Sequence, residues 1–261
     1  MIIVKLVNHC EYSKMDNSVK IFSKQSRLYF WFDLIYKMAR YNLKIIFAGR
    51  FIWFVLAALL FFILLSINLV FNTPGYDSSS VYSILFFPGI LLVFYPTVFG
   101  IQSDADTRIL EILFGIPDYR YKVWMVRLVM IFLLTWFFLY LFCWFGYYGL
   151  IPFPVFEMSW QLMFPVLFLG CLAFLVSTMV KNGNGTAVVM IIIGVLLLMF
   201  SDALSKTQWN VFHNPFSIPD KMNEMIWAQV SQKNRLFLSI SSVIFFLGGL
   251  TNLQRREKFL K

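Results

Sequence analysis

Six long apolar stretches constrain this chain more than anything else in it: Phe51–Phe71, Val81–Ile101, Leu128–Tyr148, Trp160–Val180, Thr186–Ser201 (extending towards Leu204) and Leu236–Leu253. A helix needs roughly 20 predominantly apolar residues to cross the hydrocarbon core of a bilayer. Without that extension, which takes in Asp202, none of the six carries Asp, Glu, Lys, Arg or His. Composition agrees, with 60% of the 261 residues hydrophobic and 13% charged, against about 25% charged in soluble domains. A soluble chain of this size cannot hide that much apolar surface. The expectation is an all-α integral membrane protein, divided into an N-terminal segment (1–25), an amphipathic helix lying in the interface (26–50), a six-span domain (51–253) and a basic tail (254–261).

The excess of 22 Lys and Arg over 13 Asp and Glu would suggest a nucleic-acid footprint in a soluble domain. Here the basic residues alternate by loop. Eighteen fall in the two terminal segments and the second and fourth loops, and four, Lys206, Lys221, Lys233 and Arg235, in the loop before the last span. The positive-inside rule therefore places both termini in the cytoplasm and leaves no need for a nucleic-acid partner. The start of the chain lacks the apolar core and small-residue cleavage site of a signal peptide.

Catalytic patterns are sparse. His9 and His213 lie outside the spans, and a lone interfacial histidine such as His213 is most often an ordinary hydrogen-bonding residue. Cys10, Cys143 and Cys171 have no metal or disulfide spacing. There is no HExxH, no GxSxG and no Walker A loop. Ser66, Ser177, Ser239, Ser241 and Ser242 sit in apolar helices, where serine usually packs helices or bonds backbone carbonyls. Spans without ionisable groups argue against a proton relay. KNGNGT (181–186) reads as a tight turn that uses glycine at positive φ.

Three loop regions stand out. In 26–50, Ser26 is a plausible cap, Leu28, Phe32, Ile35, Ala39 and Leu43 recur at helical spacing, and Lys37, Arg40 and Lys44 flank them. Residues 205–235 are too long for a simple connection. Met222, Met225, Ile226 and Val230 suggest a short amphipathic or re-entrant helix there, with a solvated loop as the alternative. The third region, 102–127, reads QSDADTRILEILFGIPDYRYKVWMVR. Its short apolar surface is interrupted by Glu111 and stopped by Pro117, and suits either docking on a soluble partner or resting on the membrane.

That segment resembles the type-2 ATP-binding-cassette (ABC) transporter permease family. An acidic pair (Asp104, Asp106), then Leu110-Glu111-Ile112-Leu113, Pro117, Arg120 and a membrane-entry Arg127 follow the family order. Arg108 departs from it, standing where glycine is common. The resemblance extends more loosely over residues 26–255. It implies a subunit in the plasma membrane of a prokaryote with no cofactor of its own. ATP and Mg2+ would be bound by separate ABC ATPase subunits, and a second permease copy or related chain would complete the pathway. Residues 108–117 would form a coupling helix, with Glu111 as polar anchor, Leu110 and Leu113 as apolar contacts, and Asp104, Asp106 and Arg120 holding the loop. The interfacial helix would offer a second contact, and an amphiphilic cargo would be exported among membrane lipids. Other readings of the same chain are a membrane-embedded enzyme of lipid or peptide chemistry and a non-transporting anchor or immunity subunit.

Overall fold

The computed structural model describes residues 51–73, 75–106, 124–219 and 223–253, with the side chains of 103–106 excepted. The described residues contain six helices and no strand: α1 (Phe51–Asn72), α2 (Ser78–Asp106), α3 (Val126–Gly149), α4 (Val155–Val180), α5 (Gly183–Ser201) and α6 (Glu224–Asn252). All six are long and apolar enough to cross a membrane.

Helix starts follow local chemistry. Asp77 accepts bonds from the Ser80 backbone N–H and hydroxyl ahead of α2, and Asn182 and Asn223 accept from the N–H groups of Asn184 and Met225 at the heads of α5 and α6. Each satisfies a donor that the helix cannot pair internally.

The bundle is built around α4, which packs on α2, α3, α5 and α6, while α1 rests on α2 and α3. Two-thirds of the α4 span is buried, against 17% for α1 and for α5. Small residues set the closest approaches. A Cβ on Gly170 would stand 2.7 Å from the Phe132 ring and 2.8 Å from Val93, and one on Gly249 would meet the Phe174 ring at 2.5 Å. Aromatic stacking closes the α1 side, with Phe54 on Tyr95 at 4.5 Å and Phe62 on Phe142 at 5.5 Å between ring centres.

Two local expectations change. At 181–186 the positive φ belongs to Lys181 (φ 62°), not to a glycine. Gly183 is instead helical and serves close packing, because any side chain there would collide with Gln102 and Phe99. Its N–H donates to the Gln102 side chain, tying the head of α5 to the foot of α2. The second change is at the last span. Met225, Ile226 and Val230 do not form a separate helix; they belong to the first turns of a continuous 29-residue α6, while Met222 lies outside the described residues and 202–219 is turns and irregular chain. Asn223 caps this longer helix, and nothing in the sequence from 224 to 235 breaks it.

The serines behave as anticipated where they are paired. Ser177 donates to the Val98 carbonyl across α4 and α2, and Ser242 to the Leu238 carbonyl. The Ser66 hydroxyl oxygen is shut off from solvent with no partner among the described residues, although the residue itself is half-buried.

Candidate functional site

The 202–219 segment is fastened to the bundle by a polar cluster at the end where α2, α4 and α6 begin. Trp227, Ser231, Asn234 and Leu238 recur along one face of α6 and are all buried. The Asn234 amide donates to the carbonyls of Gln208 (2.9 Å) and Asn210 (2.7 Å). The Trp227 indole donates to the Pro215 carbonyl, and the Tyr82 hydroxyl of α2 to the His213 carbonyl. Asn214 reaches Ser79 and Ser83 at the head of α2. Backbone polar groups away from water must find such partners, which is why an irregular segment can lie against a membrane helix bundle.

His213 is at the centre. Its Nε2 lies 2.7 Å from the Ser231 hydroxyl and its ring 4.5 Å from the Trp227 ring. Burial, aided by the neighbouring Arg235 charge, pushes its pKa down to about 4, so the ring is neutral at pH 7. Its Nδ1 has no partner among the described residues.

Beside His213 is a pocket with room for about one water-sized group (about 10 Å³), lined by Tyr82, Gln161, Ser231, Asn234 and Arg235 among others. Gln161 is buried, and no hydrogen bond holds its amide among the described residues. Arg235 stacks over the Phe164 ring at 6.0 Å; its Nε is buried without a partner.

A second cavity, of about 250 Å³, is almost wholly apolar. It lies between α2, α4 and α5, lined among others by Phe94, Ala173, Ile191, Gly194, Val195 and Phe212. The hydroxyl of Thr97 at its wall is turned to the carbonyls of Val93 and Phe94. Flanked by helices with exposed apolar faces, such a groove takes hydrocarbon and excludes ions.

Of the residues singled out from sequence, Arg108, Leu110, Glu111, Leu113, Pro117 and Arg120 lie outside the described residues, as do Phe32, Ile35, Lys37 and Arg40 of the interfacial helix. Asp104 and Asp106 are in the last turn of α2 by backbone. Arg127 is buried at the head of α3, its guanidinium 5.2 Å from the centre of the Trp124 ring. Cys143 and Cys171 are free and buried. No group of three His, Cys, Asp or Glu able to hold a metal occurs among the described residues.

The Gln161–His213–Arg235 pocket was missed in the sequence. Lys233 and Arg235 made 224–235 look like loop, although Trp227, Ser231, Asn234 and Leu238 already carried helical spacing into the apolar run. No family model, curated protein or solved structure matches the chain. The described residues thus define a helical protein with six candidate membrane spans, a polar cluster at one end and an apolar groove between helices.

Proposed function

We propose that this chain is the membrane subunit of an ABC transporter, pairing with a second permease copy or a related chain and driven by separate ATPase subunits. The observation that carries the reading is the ordered set Asp104, Asp106, Leu110-Glu111-Ile112-Leu113, Pro117, Arg120 and Arg127, which runs in sequence from the last turn of α2 to the first turn of α3. Eighteen of 22 basic residues fall on the side of that segment, which supports a cytoplasmic location where ATPase subunits can reach it. The apolar groove and the exposed apolar faces of α1 and α5 favour a hydrophobic or amphiphilic cargo, leaving the cell along the bundle. Glu111 anchors to a cationic groove of the ATPase by a charge-assisted bond, with Leu110 and Leu113 buried beside it.

Affinity purification of the full chain from its native membrane, followed by mass spectrometry, tests this directly. The expected result is a co-purifying subunit with a Walker A loop, lost on Glu111→Lys while membrane insertion persists. Absence of any ATP-binding subunit from the native complex, or unchanged capture by the Glu111→Lys variant, overturns the proposal.

A further inference from the structure

We infer that the pocket formed by Arg235, Gln161 and His213 is a binding site for an anionic phosphate group, supplied by a lipid headgroup. The inference stands apart from the transporter reading, since it uses only residues at the opposite end of the bundle.

Three observations converge on it. First, the pocket collects hydrogen-bonding capacity that the protein leaves unused. The Nε of Arg235 is buried and has no hydrogen-bond partner among the described residues. Gln161 is only 5% exposed and makes no hydrogen bond to a described residue, although its amide is not closed off from solvent as the Arg235 Nε is. When Nε2 of His213 accepts from the Ser231 hydroxyl, its Nδ1 carries a further unpaired N–H. Leaving such groups unmatched is costly, and a bound acceptor removes the penalty.

Second, the pocket has a fixed positive charge and no counter-charge. Arg235 forms no ion pair with any described residue. Neutral His213 adds a donor without adding repulsion at pH 7. A guanidinium presents planar paired donors to phosphate oxygens, and the pocket admits one such oxygen while the rest of the group remains at its mouth.

Third, depth selects the source. Leu236–Leu253 contains no ionisable residue, and at 1.5 Å per residue it spans about 27 Å, close to the hydrocarbon thickness. Arg235 immediately precedes that run, which puts it at headgroup level. Trp209, exposed and packed on the Phe237 ring at 4.9 Å, marks the same level, as indoles do at the membrane interface. Exposed Trp144, Tyr148 and Trp160 extend this aromatic belt around the same end of α3 and α4.

The test uses the full chain purified in a neutral detergent, with its thermal unfolding titrated against dioleoyl phosphatidylglycerol, dioleoylglycerol and inorganic phosphate. The expected result is saturable stabilisation by phosphatidylglycerol but not by dioleoylglycerol, with an apparent affinity at least about tenfold weaker in Arg235→Gln. Lys233→Gln, two positions away and exposed, retains the wild-type response. Inorganic phosphate that matches phosphatidylglycerol in a manner dependent on Arg235 overturns the lipid source. Equal responses to the charged and uncharged lipids, or an Arg235→Gln protein that responds as wild type does, overturn the site altogether. Should Arg235→Gln not fold, the comparison of the two lipids on the wild-type chain decides by itself, with Gln161→Leu as the second variant.

Discussion

Replacing Asn234 by alanine removes both hydrogen bonds that hold the 208–210 turn on α6. The Gln208 carbonyl then loses its side-chain donor, while the Asn210 carbonyl retains the longer 3.4 Å contact from the His213 N–H. Asn234 is buried, so water does not simply replace its amide. An orphaned buried acceptor costs about 1–3 kcal/mol and a lost but partly compensated bond about 1 kcal/mol, giving about 2–4 kcal/mol in total. Because the damage is confined to one segment, it is expected to appear as local opening. Limited trypsin digestion at the exposed Lys206 reads this out. A loss of 2 kcal/mol raises the open population, and hence cleavage in the regime of fast reclosing, by roughly thirtyfold. Asn234→Asp is expected to be worse at neutral pH, since it sets a carboxylate against two carbonyls, and to recover partly on acidification. Unchanged cleavage at Lys206 in Asn234→Ala, with an apparent Tm within about 1 °C of wild type, would refute the fastening role of Asn234.

Acidification tests His213. Its folded pKa of about 4 is below the unfolded value, so the unfolded state binds more protons between those values. Its stabilising contribution is complete above pH 6.5 and is lost as pH falls towards 4, by at most about 3 kcal/mol. His213→Gln should flatten the fall of apparent Tm over that window, and a parallel fall in both proteins would exclude the assignment. Two glycines are expected to separate cleanly in thermal unfolding. Gly249→Val drives a side chain into the Phe174 ring and costs about 1–3 kcal/mol, whereas the Cβ of Gly194→Ala meets nothing within 4 Å and costs little. If the groove carries cargo, Gly194→Leu blocks transport while leaving Tm near wild type, measured by cargo efflux from cells.

The six candidate spans were legible because each contains an uninterrupted apolar stretch, a signal that survives without neighbours. Their ends were less so: α4 begins at Val155, ahead of Trp160, because Pro154 precedes it and Glu157 is tolerated in a first turn. The left-handed turn at Lys181 was hidden by Gly183 and Gly185, which local propensity favoured for it. Tertiary contact with Gln102 and Phe99 claimed Gly183 for packing instead. The polar pocket required knowing that Gln161, His213 and Arg235, scattered over 75 positions, converge. No periodicity encodes that meeting. Residues 108–117, proposed as a coupling helix from residue types and order, lie outside the described residues.

The fastening of the 208–215 turns to α6 has a mechanical consequence. Asn234 and Trp227 hold those turns from two levels of the helix, about 10 Å apart along its axis. With two attachment points the segment resists pivoting about either one. Gating at this end by a freely swinging flap is therefore disfavoured, and any widening there requires the whole of α6 to tilt. Force applied at the far end of α6 would travel along a stiff rod and carry the attached turns with it.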